Sequence, residues 1–157
     1  MGTHYNGTIK EINSLNVYIK LLRASDSLRG RLNLQILKKG LSESQFNMLD
    51  ALYHLGPMPQ KELGNKLFKS GGNITMVVDN LEKRKLVKRE RSEHDRRIFI
   101  INITKQGKYL IEKLFPKIVS ALVDEIGILN EEEQSNIQKA CKKLGLNHLN
   151  DQIKITI

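Results

Sequence analysis

Residues 59–104 read PQKELGNKLFKSGGNITMVVDNLEKRKLVKRERSEHDRRIFIINIT, and this stretch decides the fold. It divides into a helical segment (PQKELGNKLF), a turn (KSGG), a second helical segment (NITMVVDNLEKRK), a strand (LVKRER), a polar turn (SEHDRR) and a second strand (IFIINIT). The change from helical to alternating periodicity predicts two short helices followed by a β-hairpin.

The second helical segment carries the clearest pattern. Its apolar residues Ile74, Val77, Val78 and Leu81 recur at helical spacing, which predicts one buried stripe. The preceding turn, residues 70–73, has glycines for a tight bend and a Ser or Asn to cap the helix. The opposite face carries short hydrogen-bonding side chains, one methyl-bearing Thr and few long ions, which favours contact with base edges in a major groove. Its residues are Asn73, Thr75, Met76, Asp79, Asn80 and Lys83.

The hairpin loop, residues 92–97, contains no apolar residue and ends in two arginines. Such a loop can reach DNA beside the helix, where an arginine can enter a narrow minor groove. In an extended loop, side chains two residues apart point the same way, so Asp95 is expected to brace Arg97. Helix, turn, helix and basic hairpin in this order predict a winged helix-turn-helix.

The same residues resemble the MarR family of bacterial transcription regulators. The similarity rests on KELGNKL, on SGGNITMVVDNLEKRKLVKRE, and on Asp95-Arg96-Arg97 followed by Asn102-Ile103-Thr104. The last group matches the family's wing signature, in which Asp, any residue and Arg precede a strand that ends in Leu-Thr. Ile103 stands where Leu is usual. The likeness extends over almost the whole chain.

The resemblance implies a mainly α fold with a small β-hairpin wing, in one domain spanning residues 1–157. Residues 41–104 would form the DNA-binding lobe, and residues 8–40 and 105–157 the helices of a homodimer on a pseudo-palindromic operator. Lys61 would contact phosphate, and Arg97 the minor groove with Asp95 holding it. Arg96 and either Lys88 or Arg91 would contact the DNA backbone. The residues expected to face the major groove are Ser70, Asn73, Thr75, Met76 and Lys83.

The flanking segments have the one-sided apolar spacing of long helices. Residues 8–39 form one such pattern, which Gly40 ends, and Ser42 and Gln45 have capping-box spacing for the next helix. A further helix over 105–127 contains Pro116, which should kink or locally break it. A last helix is expected from Asn130 to about Leu144, with Gly145 as its stop.

Two questions of regulation stay open in the sequence. Members of the family that it resembles respond to small aromatic or phenolic effectors, and Tyr18, Phe46 and Tyr53 lie in segments that would line such a pocket. All three are equally good core residues. Cys141 lies on the apolar face of a late helix, so a buried packing residue is favoured over a redox sensor.

Charge and composition support nucleic acid as the partner. The chain has a formal net charge of +9, and 13 basic against 6 acidic residues place +7 of it within 59–108. A merely solvated basic surface would not predict this concentration. No signal peptide and no apolar run of membrane-spanning length occur, so a cytoplasmic protein is expected.

No cofactor, metal site or enzymatic activity is predicted. The four histidines have no metal-ligand spacing with Cys141, and no nucleophile–base set or nucleotide-binding loop occurs. The alternative from another class is a winged-helix protein-interaction module that reads no DNA. Such a module should expose apolar residues on the helix over 73–85. A redox-responsive regulator acting through Cys141 is a further alternative.

Overall fold

A computed structural model of the protein describes residues 4–67 and 71–146. These residues form six helices and three strands, and the predicted mainly α fold with a small β wing is confirmed. In chain order the elements are α1 Ile9–Leu37, α2 Glu43–Leu55, β1 Met58–Pro59, α3 Gln60–Lys66, α4 Gly71–Lys83, β2 Val87–Arg91, β3 Phe99–Ile103, α5 Lys105–Ile126 and α6 Glu131–Leu146.

Local side-chain hydrogen bonds mark the starts of three helices, and a glycine follows the end of one. The predicted capping boxes at Ser42 and Asn130 are both present, and Thr8 forms a third with Glu11 at the start of α1. Each satisfies amide groups that have no partner within the helix. Gly40 follows α1 with a φ of +67°, the left-handed conformation that ends helices, so its predicted role is confirmed.

The chain divides into two compact units, Met1–Val119 and Ser120–Ile157. The first contains the hydrophobic core, to which α1 contributes only its last turn through Ile36. The predicted stripe of α4 is buried as expected. Other buried members of this core are Met48, Leu52, Leu63, Ile101, Ile111 and Leu114.

The second unit has no buried side chain among its described residues, 120–146. Ile137, Cys141 and Leu144 lie along one exposed side of α6. The expectation that Cys141 is a buried packing residue is therefore wrong for the single chain. The apolar spacing is real, but no described element of this unit covers it.

The sheet has one more strand than the sequence predicted. Residues Met58 and Pro59 form β1, which pairs antiparallel with β3 at Ile101 and Ile100 and gives the strand order β1-β3-β2. Pro59 is tolerated because β1 is an edge strand, where an amide is not needed on the outer side. Two residues are too few for a periodicity signal.

Two predicted helix boundaries are also wrong. Helix α4 begins at Gly71, so both glycines and Asn73 belong to its first turn and not to a preceding turn or cap. Helix α6 continues through Gly145 to Leu146, beyond the predicted stop. Helix α5 has the predicted bounds within one residue and continues through Pro116, so the alternative of a local break there is wrong. Gly145 lacks the positive φ that commonly follows the end of a helix, and Gly71 and Gly72 lack the positive φ of a tight turn. No helix within residues 4–67 and 71–146 is long and apolar enough to cross a membrane.

A hydrogen-bonded junction joins the end of α4 to the start of α5. The Thr104 hydroxyl donates to the Lys85 carbonyl at 2.7 Å and accepts from the Gly107 amide at 3.1 Å. Gly107 is required there because a Cβ on it would lie 2.2 Å from the Leu86 carbonyl oxygen. This close approach holds the base of the wing against α5.

Candidate nucleic-acid interface

Helix α4 presents the surface that was predicted to face the major groove. Asn73, Thr75, Met76 and Lys83 are all exposed, on the side away from the buried stripe. Ser70, which was predicted to join them, lies outside the described residues. Asp79 differs from the expectation, because it is half-buried and forms an ion pair with Arg89 of β2.

Arg89 joins the wing to α4 and was missed by the sequence analysis. Its backbone amide donates to the Glu82 carboxylate at 2.9 Å, and its guanidinium pairs with Asp79 and lies 3.7 Å from Glu82. Both acidic residues of α4 are thus matched by one arginine. Strand alternation was the available signal, since it places Arg89 on the same face as buried Val87.

Thr75 is held at its position by a neighbour that was also missed. The Gln60 side-chain amide, at the start of α3, donates to the Thr75 hydroxyl at 2.9 Å. The hydroxyl in turn donates to the Gly71 carbonyl at 3.1 Å, one helical turn earlier. The bond from Gln60 connects the two helices of the helix-turn-helix. Its partners lie on different helices, so sequence spacing could not predict it.

The wing loop folds as a turn, not as the extended segment that was expected. The Asp95 carbonyl accepts from the Ile98 amide at 2.9 Å, and the Asp95 carboxylate accepts from the Arg97 amide at 2.9 Å. The same carboxylate accepts from the Arg97 guanidinium at 3.1 and 3.0 Å. The expected pair is therefore present, but a tight turn stabilised by an Asx-type bond brings the two groups together.

The charge balance of the loop favours contact with an anion. Hydrogen bonds from the side chain and then the backbone of Arg97 lower the pKa of Asp95 below its ordinary value of 3.8, so this carboxylate is ionised at neutral pH. The Arg97 side chain is still 91% exposed. Arg96 is exposed as well, and both lie at the loop tip.

Strand β2 supplies further cations, which are partly engaged within the wing. Arg91 donates to the Arg96 carbonyl at 2.6 Å and lies 5.0 Å over the Phe99 ring, so it supports the loop from below. Lys88 pairs with Glu90, which also accepts from Asn102 at 2.8 Å. The side chains of Lys88 and Arg91 are nevertheless exposed on the surface of the wing.

A cavity of about 890 Å³ brings together residues from three elements. Lys61 of α3, Thr75 of α4 and Arg97 of the wing loop all line it, beside Gln60 and Phe99. Three residues that were predicted to contact DNA through different elements therefore meet around one concave surface. None of Tyr18, Phe46 and Tyr53 lines it.

The three aromatic residues considered for an effector pocket have different surroundings. Phe46 is buried in the core, whereas Tyr18 is 60% exposed on α1. Tyr53 is partly buried, and its hydroxyl donates to the Glu112 carboxylate at 3.4 Å. Within the described ranges, no group of His, Cys, Asp and Glu side chains has the arrangement of a metal site.

The fold and this basic surface define a winged helix-turn-helix protein of the DNA-binding class. A family model described as the MarR family matches residues 39–98. The HTH-type transcriptional regulator MhqR of Bacillus subtilis is 37% identical over 134 residues, which cover 85% of this chain and 92% of MhqR. The chain therefore belongs to the MarR family, whose members are DNA-binding transcription regulators and not enzymes.

Solved structures share the fold at lower sequence identity. The MarR-family regulator Sco3205 of Streptomyces coelicolor, solved in complex with DNA, has a TM-score of 0.81 at 19% identity, over 92% of this chain and 91% of that one. BpsR of Bordetella bronchiseptica, whose DNA binding is regulated by 6-hydroxynicotinic acid, has a TM-score of 0.75 at 24% identity, over 82% and 98%.

Proposed function

We propose that this regulator is a homodimer that binds a pseudo-palindromic operator and represses transcription until a small aromatic or phenolic effector releases it. The observation that carries the DNA-binding part is the meeting of Lys61, Thr75 and Arg97 around one exposed, basic concave surface. A phosphate contact, a major-groove contact and a minor-groove contact need this arrangement of α3, α4 and wing.

We propose that separate segments of the chain bind DNA and form the dimer. Residues 41–104 form the DNA-binding lobe, and residues 8–40 and 105–157 are proposed as the dimer segments, together in one domain; residues 147–157 of the last segment lie outside the described residues. Support for the dimer comes from α1, in which Ile36 is the single buried residue of 29. Its exposed apolar side chains include Ile9, Val17, Tyr18, Leu21 and Leu22. A two-fold dimer would place its half-sites about one helical turn, roughly 10 base pairs, apart.

The proposed contacts assign one task to each group. Lys61, Lys88 or Arg91, and Arg96 contact phosphates, Arg97 enters the minor groove, and Asp95 braces it. Asn73, Thr75, Met76 and Lys83 face the major groove, and Ser70 is proposed with them. Only base-edge contacts carry sequence information, so the α4 residues should set specificity and the basic residues the affinity.

Selection of duplex DNA by the purified protein tests this function. A random pool should yield an inverted repeat, and the selected duplex should be retained in mobility shifts at salt concentrations that release random duplex. Lys61→Ala should weaken both duplexes by a similar factor, whereas Asn73→Ala should weaken the selected duplex more. Equal binding of selected and random duplex would contradict sequence-specific regulation.

The effector is proposed from BpsR, whose DNA binding is regulated by 6-hydroxynicotinic acid. Hydroxylated aromatic acids are therefore the probes, added to a preformed protein–operator complex. An effective compound should release DNA and raise the melting temperature of the free protein. Tyr18→Phe, Phe46→Leu and Tyr53→Phe then test which of the three residues lies at the site. In cells we place the regulator in the cytoplasm, with the DNA that it binds.

Exposed apolar side chains favour one alternative, a protein-interaction surface. Met76, Ile98 and Phe99 are all more than one-third exposed on the DNA-binding lobe. If they formed the working surface, Met76→Gln should abolish binding of a protein partner and leave the protein–operator affinity unchanged. The proposed function requires the reverse, because Met76 lies on the helix that reads the operator.

A further inference from the structure

The hydroxyl of Thr75 is already used inside the protein. It donates its one proton to the Gly71 carbonyl at 3.1 Å and accepts the Gln60 amide at 2.9 Å. A hydroxyl has a single proton to donate. Thr75 therefore has no proton left for an acceptor atom on a base, and it can offer only its methyl group and the second lone pair of its oxygen.

The next residue, Met76, is also an apolar group on this surface. Its side chain is 57% exposed and makes no hydrogen bond with the described residues. Asp79, one turn further on, is paired with Arg89 of β2. Thr75 and Met76 thus form an apolar part of the exposed face of α4, with Asn73 before it and Asn80 and Lys83 after it.

We propose that the Thr75 methyl and Met76 recognise the C5-methyl groups of thymine in the major groove. This inference rests on the proposed function and assigns the base feature that the same site reads. The thymine methyl is the apolar group that a base pair presents in that groove, and apolar side chains contact it. The net charge of +7 over residues 59–108 favours DNA as the partner that binds this surface.

Deoxyuridine provides the direct test, since it lacks only the C5-methyl and keeps every hydrogen-bonding atom of thymine. Each thymine of the selected operator is replaced in turn in both half-sites, and the dissociation constant is measured. At one or two positions per half-site we expect about fourfold weaker binding per methyl, and about fifteenfold when both half-sites change. Thymines outside the half-sites are the control.

Two substitutions at position 75 separate the methyl from the hydroxyl. Thr75→Ser keeps the hydroxyl bonds and should remove the thymine-over-uracil preference at one position. Thr75→Val keeps a methyl in the same place and should retain that preference. The ratio of the two dissociation constants is the measurement, because Thr75→Val also loses the bonds to Gln60 and Gly71 and thus changes absolute affinity.

Met76→Gln should remove the preference at a different thymine of the same half-site. Loss of the preference in Thr75→Val with retention in Thr75→Ser would overturn the inference, because the hydroxyl would then be the reading group. A native protein that binds its operator without discriminating thymine from uracil would overturn it as well, and would leave the proposed function standing. Failure to select any operator would instead contradict the proposed function.

Discussion

At the scale of single residues, the wing depends on one carboxylate in a basic loop. Asp95 accepts from both the backbone and the guanidinium of Arg97. Its pKa is lowered by these bonds, so the folded-state value lies below the unfolded one. The stabilisation that the Asp95–Arg97 bonds give is therefore fully present above the ordinary carboxyl pKa. It is lost as pH falls through the lowered, folded-state pKa of Asp95. Binding near neutral pH should not titrate through Asp95.

Asp95→Ala should weaken operator binding, although it removes a negative charge close to DNA. The reason is that Arg97 loses the group that orients it, and Arg97→Ala should itself weaken specific binding by roughly 1–3 kcal/mol. Glu93→Ala is the matched control, because Glu93 is exposed in the same loop and makes no hydrogen bond or ion pair with the described residues. Titrations over a range of salt concentrations give the comparison. Equal tightening by both substitutions would show that only net charge matters.

Cys141 is the second residue whose role can be tested directly. Its thiol is exposed on α6, and no Cys lies in α1. Mild peroxide is expected to leave operator binding unchanged, because the one Cys of the sequence lies outside α1, α4 and the wing. Binding of native protein and Cys141→Ser is compared with and without peroxide. Release of DNA from the native protein alone would make Cys141 a redox sensor.

At the scale of elements, Arg89 decides how β2 sits against α4. Its side chain is 22% exposed and faces the carboxylates of Asp79 and Glu82. Charged groups that lose their partner in a partly buried place are costly, whereas exposed pairs contribute little. The orientation of the wing relative to the recognition helix therefore depends on this cluster.

Arg89→Met should lower the free energy of unfolding by about 1–3 kcal/mol, because both carboxylates lose their cation. Lys88→Met is the control, because it removes an exposed charge that pairs with Glu90. It should change the free energy of unfolding by less than about 1 kcal/mol. Urea denaturation monitored by circular dichroism measures both. Combining Arg89→Met with Asp79→Asn should cost less than the sum of the single changes. Additive effects would show that the pair is not coupled.

At the scale of the whole molecule, long apolar helix surfaces are left uncovered by the residues that the structure describes. Helix α1 has one buried residue among 29, and no described residue of α6 is buried. Exposed apolar surface of this extent marks an interaction site. A second copy of the chain is the partner that we propose.

Sedimentation at micromolar concentration should give twice the chain mass of 18.0 kDa. Leu22→Glu introduces a charge into the apolar stripe of α1 and should shift the equilibrium toward monomer, because the charge loses hydration in the interface. Ser27→Glu adds the same charge on a side of the helix where Arg23 and Arg31 are its neighbours, and it should leave the dimer intact. A native monomer, or equal effects of the two substitutions, would contradict dimerisation through α1.

Features that depend on neighbours in sequence were predictable from the sequence by itself. The buried stripe of α4 follows from helical spacing, and the capping boxes at Ser42 and Asn130 follow from residues three apart. The Asp95–Arg97 pair lies within one turn, so it was expected even though the loop geometry was not. In each case the interacting groups are brought together by local backbone conformation.

Features that depend on distant segments were decided by the tertiary structure. Strand β1 exists because β3 offers it a hydrogen-bonding edge, and the Thr75 hydroxyl is used because α3 places Gln60 beside it. Asp79 is paired within the protein because β2 places Arg89 beside it. Spacing predicts which face of a helix is apolar, but a side chain's free hydrogen-bonding capacity depends on which other elements pack next to it.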